Sequence, residues 1–323
     1  MEDTGIVVYA DDNTPITCHY NPNTLQINIQ EMANQATTWI TDNKLSCSGE
    51  KTKLLVMGTA TNRNIKLESV NKKLSVIVCG ETVEEVSAEN LLGIVINNTC
   101  TWKNHMHGYN DGVKDKPGLI KQLSRRVGLL SRLNRYLRPR QFSMVMNGLF
   151  NSKLIYGISV WGGVWNIPGI LNDVDRSSPS LTKEDNRQLQ TLQNKVMRMQ
   201  TRLPKETPTV HLLQASGQLS VQQLTAYHSL LQVYKAKMFK QPEYIYSRLF
   251  PNGNIVDEEA RVSRSLRNNL IRIDVDLAIT RNAFFYRSTR LWNAIPMDIR
   301  NSVSIKSFKV GVKKWIRENI YHK

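Results

Sequence analysis

The sequence predicts an α+β fold: a β-hairpin, one helix and short antiparallel strands up to about residue 107, then a mainly α-helical remainder. Three observations carry this reading. Short apolar runs broken by Asn, Pro and Gly fill the first third. One apolar stripe at 3.6-residue spacing interrupts them between residues 23 and 40. Beyond the Gly108-Tyr109-Asn110-Asp111-Gly112 stretch, apolar residues recur almost only at helical spacing.

Taken in order, Ile6-Val7-Val8 reads as a strand that buries itself, and Ile16-Thr17-Cys18 as its partner. Tyr9-Ala10-Asp11-Asp12 and Asn13-Thr14-Pro15 lie between them, so two adjacent carboxylates fall at the hairpin tip. Asn23 is the expected cap of a helix with Leu25, Ile29, Met32, Ala33, Ala36, Trp39 and Ile40 on one face. Strands are expected at Leu54–Met57, Ile65–Leu67, Leu74–Val78 and Leu91–Ile96, with turns at Ser48-Gly49 and Asn71-Lys72-Lys73. Residues 1–107 form this unit, and Gly108 to Gly112 reads as a linker.

Helices follow over 113–162. Leu119, Ile120, Leu123, Val127, Leu130 and Leu133 make one stripe. A second helix from Pro139 to Ile155 turns Phe142, Val145, Met146, Leu149 and Phe150 inward. Residues 163–182 are rich in Gly, Pro, Ser, Asn and Asp and read as a loop. The last stretch, 183–323, is expected to be helical at Glu184–Leu203, at Ser220–Phe239 and around Phe308, Val312, Trp315 and Ile316. Its aromatics either stack on bases or form the core of a small helical domain.

The formal net charge is +16 over 323 residues. Residues 1–50 hold one cation, Lys44, and seven acids, a net of −6, which leaves +22 on the rest. An acidic start and a basic body suit handling of a polyanion. Between 114 and 140 nine Lys/Arg stand against one acid, and between 261 and 323 fourteen stand against four. Such helices either meet a phosphate backbone or are simply solvated. The cysteines Cys18, Cys47, Cys79 and Cys100 are far apart, with no C-x-x-C pair, so neither a zinc knuckle nor a disulfide framework is indicated. No signal-peptide pattern or apolar run of membrane-spanning length appears. An intracellular protein, in nucleus or cytoplasm, is therefore expected, with no membrane partner. No P-loop or dinucleotide-binding pattern stands out.

Carboxylates on a rigid hairpin turn are suited to Mg²⁺ (or Mn²⁺), which takes hard oxygen ligands and only one or two protein carboxylates. Two such ions can clamp an in-line phosphoryl displacement. Four letters by themselves fit an Asp-Asp surface turn equally well.

The order of motifs extends this. After the Asp pair come Trp39-Ile40-Thr41-Asp42-Asn43-Lys44-Leu45-Ser46 and Glu50-Lys51-Thr52-Lys53, then Asn90-Leu91-Leu92-Gly93-Ile94-Val95-Ile96 and Trp102-Lys103-Asn104-His105. This series resembles the later palm motifs of the reverse transcriptase of LINE-like (non-LTR) retrotransposons. Leu192-Gln193-Asn194-Lys195 and Arg287-Ser288-Thr289-Arg290-Leu291-Trp292-Asn293-Ala294-Ile295-Pro296 resemble segments downstream of that polymerase.

The resemblance implies a partial polymerase palm followed by a helical thumb and C-terminal domain. It implies an RNA-directed DNA polymerase acting on an RNA template, a DNA primer and dNTP. Asp11 and Asp12 would hold the metal, with Asp11 the principal ligand. Lys51 would neutralise charge at the leaving pyrophosphate or donate a proton there; a surface lysine is the other reading, and Lys53 competes for the register. Tyr9 and Ala10 would face the primer end, and Leu92 and Gly93 would form the primer-gripping hairpin. Arg125, Arg126, Arg132 and Arg135 would lie along the duplex. Trp102 and His105 are expected to be structural. The fingers and earlier palm motifs of the family, with a further metal-binding Asp, have no counterpart here, so these 323 residues are expected to be inactive alone and the first strand to have an unpaired edge. A non-catalytic nucleic-acid-binding remnant is the alternative. A group II intron maturase shares the Asp-Asp hairpin but fits the W-x-x-H and Trp292-Asn293-Ala294-Ile295-Pro296 segments less well.

Overall fold

β1 (Asp3–Tyr9) pairs antiparallel with β2 (Asp12–Cys18), with Tyr9 opposite Asp12 and Ile6 opposite Pro15. In this computed structural model the described residues are 3–10, 12–45, 51–58, 74–110, 112, 114–164, 181–250 and 284–320. They divide into two compact units, Met1–Lys116 and Pro117–Lys323. The expected features at Ser48-Gly49, Ile65–Leu67 and Asn71-Lys72-Lys73, and most of the 163–182 loop, lie outside the described residues.

The first unit is α+β. Its hairpin forms as expected, but β1 does not bury itself: Ile6, Val7 and Val8 are 54%, 53% and 63% exposed. The reason is the packing partner. Helix α1 (Pro22–Asp42) lies on β2, and among the described residues β1 pairs with β2 alone. A two-stranded ribbon covered at one strand leaves the other in solvent. The cap of α1 is Asn21, whose side chain accepts from the Asn23 N–H at 2.8 Å, and not Asn23 itself. Pro22 explains the shift, because a proline fits the first helical position, where its missing N–H is not needed.

Short strands complete the unit: β3 (Lys53–Leu54), β4 (Ile77–Val78), β5 (Glu81–Thr82), β6 (Glu84–Glu85), β7 (Ala88–Leu91) and β8 (Ile94–Asn97). They pair only in twos, and β3 with β6 is parallel, so among the described residues there is no single antiparallel sheet. The core is Ala33, Val76, Val78 and Val83, with Ile29 and Leu54 against it. Two glutamines fasten α1 to the 74–78 segment in place of a neighbouring strand. Gln30 receives the Ile77 N–H and donates to the Ile77 carbonyl, both at 2.9 Å, and Gln26 treats Ser75 in the same way. A short helix α2 (Lys103–His107) leads into β9 (Gly108–Asn110), which pairs with β10 (Asp115–Pro117). The stretch read as a linker thus contributes a strand.

Apart from Pro117 at the end of β10, every regular element among the described residues of the second unit is a helix. α3 (Leu119–Leu133) buries Leu119, Leu123, Val127 and Leu130, the expected stripe. α4 (Pro139–Met146) continues through a π-helical segment, Asn147–Asn151, into α5 (Ser152–Ile155), burying Phe142, Met146, Phe150 and Leu154. α6 (Ile158–Trp161) follows, then α7 (Lys183–Thr201), capped by Thr182, and α8 (Thr209–Ser216). α9 (Val221–Phe239), with Ser220 and Gln223 as its capping box, is the central helix and touches α6, α7, α10 (Glu243–Leu249), α11 (Phe284–Ala294) and α13 (Ile305–Asn319). A four-residue helix α12 (Met297–Arg300) precedes α13. Trp292, Phe308 and Tyr234 pack in sequence, Phe308 stacked on Tyr234 at 4.1 Å between centroids. The C-terminal aromatics therefore serve as core, the second of the two roles open to them.

Candidate functional site

Tyr9 and Asp12 are the last paired residues of the β1–β2 hairpin, which turns back just after Ala10. Ala10 has φ of +54°, a left-handed conformation that tight two-residue hairpin turns require. Asp11 itself lies outside the described residues. Asp12 is the first residue of β2 and is exposed, as are Tyr9 and Ala10. An extended backbone on both sides thus keeps the acids' neighbours out of the core, as a pair of like charges needs. Among the described residues no group of three or more His, Cys, Asp and Glu side chains converges.

Leu92 and Gly93 form a second two-residue turn, with φ of +50° and +83°, between β7 and β8. The run Leu91–Ile96, read as one strand, is therefore the tip and return of a hairpin. This hairpin is anchored from α2. The Val95 N–H donates to His105 Nδ1 at 3.2 Å, and His105 is buried with its ring edge-on to Trp102. Asn97, also buried, donates to Thr101 Oγ1 at 2.9 Å and Asn104 Oδ1 at 2.8 Å and accepts the Thr101 N–H at 2.8 Å. Trp102 and His105 thus hold the turn in place. Asn97 was not singled out in the sequence; its only signal there was an Asn-Asn-Thr run after a strand.

The two candidate lysines separate. Lys53 pairs with Glu84 at 2.6 Å across β3 and β6. Lys51 is exposed in the segment just before β3.

In the second unit, Arg125 and Arg132 share the exposed face of α3 with Lys121. Arg135 lies beyond the helix end, 5.5 Å from the ring centroid of Tyr136. Arg126 points inward instead: its Nη1 donates to the Leu149 carbonyl in the π-helical segment. A π turn displaces carbonyls from the regular helical ladder, and the guanidinium supplies a donor there. Burial and the Arg126 charge together lower the pKa of Lys153 on the next turn.

A second basic face is formed by α13, where Lys306, Lys309, Lys313 and Arg317 are exposed at spacings of three and four. His228 on α9 faces it, and its pKa is lowered by burial first and then by Lys235, Lys313 and Lys309. No helix among the described residues is long and apolar enough to cross a membrane. Compared with protein-family models, curated proteins and solved structures, the chain matches none of them.

Proposed function

We propose that the chain is the C-terminal part of an RNA-directed DNA polymerase from a LINE-like retrotransposon, a partial palm followed by thumb and basic C-terminal helices. The observation that carries this reading is the order in the sequence of the Asp11-Asp12 pair, Lys51 and Leu92-Gly93, with Asp12 at the end of the β1–β2 hairpin and Leu92-Gly93 at the turn of a second one. Asp11 and Asp12 would hold Mg²⁺ or Mn²⁺; carboxylates are the hard oxygen ligands such an ion takes, and Asp12 is exposed. When bound, the metal supplies charge neutralisation at the transferring phosphoryl group. Lys51 offers an exposed cation for the pyrophosphate, and Leu92-Gly93 a turn anchored through the Val95–His105 bond for the primer backbone. Arg125, Arg132 and Arg135 offer donors to duplex phosphates. Arg126, bound to the Leu149 carbonyl, steadies the thumb-like helices instead.

The basic faces of α3 and α13 favour a second reading, a nucleic-acid-binding module without turnover. Primer extension separates the two. In a protein that joins this chain to the fingers and earlier palm motifs of such an element, dNTP incorporation on an RNA template is expected. Asp11→Ala should lower it by at least about a hundredfold. The 323 residues alone should give none, because the resemblance assigns a third carboxylate to an earlier motif. Incorporation that survives Asp11→Ala would overturn the polymerase reading. Salt-dependent binding with no incorporation by the joined protein would favour the second one.

A further inference from the structure

Tyr136 stands in the turn between α3 and α4 and is 76% exposed. The backbone of this turn is held at both ends. The Asn134 N–H donates to the Leu130 carbonyl and the Tyr136 N–H to the Leu133 carbonyl, both at 2.9 Å, and the Arg138 N–H donates to Gln141 Oε1 at 3.0 Å. The ring is therefore carried on a fixed backbone, with only its two side-chain torsions to order on binding. The Arg135 guanidinium lies over the ring, 5.5 Å from its centroid, and covers one face. With most of the residue in solvent, the other face has room for a flat ligand.

The setting is cationic. Arg132, Arg135, Arg138 and Arg140 lie within four residues of Tyr136, all are exposed, and among the described residues none has a carboxylate partner. No Asp or Glu stands between Lys116 and Asn172. An exposed tyrosine by itself means little. Tyr20 and Tyr244 are 81% and 69% exposed, but Tyr20 belongs to the acidic start of the chain and Tyr244 follows Glu243. Of the three, only Tyr136 has basic neighbours without an acid. An aromatic face among arginines fits a nucleotide in both its parts: the ring stacks on the base, and guanidinium groups meet the phosphates beside it. A base can take that place only when it is unpaired, because inside a duplex its faces are already stacked.

We propose that the α3–α4 turn binds an unpaired nucleotide of a single-stranded nucleic acid, with the base on Tyr136 and the adjoining phosphates on Arg138 and Arg140. The site rests on the nucleic-acid binding that both readings above share, and adds to it a strand outside the duplex.

The probes are a short oligouridine and a blunt RNA–DNA duplex, each labelled and titrated against the full chain by fluorescence anisotropy. Tyr136→Ala is expected to weaken oligouridine binding about tenfold, the loss of one base–aromatic stack, and to leave duplex binding within about twofold. Tyr136→Trp should hold or tighten oligouridine binding, since the stacking face is kept. No phosphate contact goes with the ring, so the salt slope of oligouridine binding should be unchanged in Tyr136→Ala. It should fall by about 0.7 in each of Arg138→Gln and Arg140→Gln, the value of one phosphate contact on a single strand. Tyr136 is exposed, so its substitution is expected to leave the urea midpoint in place, and the comparison is between folded proteins. Oligouridine binding unchanged in Tyr136→Ala, or weakened no more than duplex binding is, would overturn the proposal and leave the nucleic-acid reading standing. An unsubstituted chain that binds neither probe would overturn both.

Discussion

Arg287 is a fully buried cation whose two terminal nitrogens reach the end of α6. Nη1 donates to the Gly162 carbonyl at 2.6 Å and Nη2 to the Ser159 carbonyl. These carbonyls belong to the last turn of a helix, where no intrahelical donor remains for them. Burial brings the guanidinium pKa down to about 10, so it is still charged at neutral pH. Gly162 must stay small, because a Cβ there would come within 2.5 Å of the Ile158 carbonyl and 2.8 Å of Thr225 Cγ2. Arg287→Met is therefore expected to destabilise the second unit by about 2–4 kcal/mol, since two charged-donor bonds are lost and two carbonyls are left unmet. The midpoint of urea unfolding measures it, with Arg287→Lys falling between; an unchanged midpoint would show that the carbonyls find other donors. None of this was legible in the sequence, where Arg287 counted as one of fourteen basic residues in a tail. A charge count cannot tell a cation at the surface from one that closes a helix end.

At the scale of elements, helices were legible and short strands were not. A stripe such as Leu119, Leu123, Val127 and Leu130 repeats over four turns, and its phase survives small errors. A strand of two residues has no period to read, and the Leu92-Gly93 turn, expected as a hairpin only through the resemblance, was otherwise read inside one strand. The pairing of α13 with α9 was also invisible, and it creates the setting of His228. Lysines 235, 309 and 313 surround a ring already short of water, so the pKa lies below the ordinary 6.5. The unfolded chain then binds a proton on this histidine at higher pH than the folded chain does. Stability is thus unaffected above about 6.5 and falls as pH drops below it towards the lowered folded value. His228→Gln should flatten that fall. Urea midpoints at pH 7.5 and pH 5.5 for both proteins, run in parallel, provide the check; equal slopes would mean that the ring ionises freely in the fold.

At the scale of the molecule, the feature most legible in the sequence was the uneven charge, an acidic start and a basic body. The hairpin of β1 and β2 was legible as well, because β-branched runs flank turn residues. The structural part of Trp102 and His105 was expected too, but not their partner, the Val95 N–H, nor the role of Asn97, since these contacts join residues of separate elements. Charge totals also overstated the interface. Of the four arginines that the resemblance sets along a duplex, Arg126 is engaged by the Leu149 carbonyl and Arg135 lies beyond the helix end, whereas Arg125 and Arg132 share one exposed face with Lys121. Of the cations near the C-terminus, Arg287 and Arg300 are buried, whereas Lys306, Lys309, Lys313 and Arg317 are outside. If the exposed faces meet a phosphate backbone, each contact releases about one counterion, and the slope of log affinity against log salt counts them. Neutralising Lys121, Arg125 and Arg132 to Gln should lower that slope by about three units for an RNA–DNA duplex, whatever its sequence. Arg126→Gln should leave the slope unchanged and lower the unfolding midpoint, because its partner is a carbonyl of the same unit. A slope insensitive to the triple substitution, or one that responds to Arg126→Gln as strongly as to Arg125→Gln, would remove α3 from the interface.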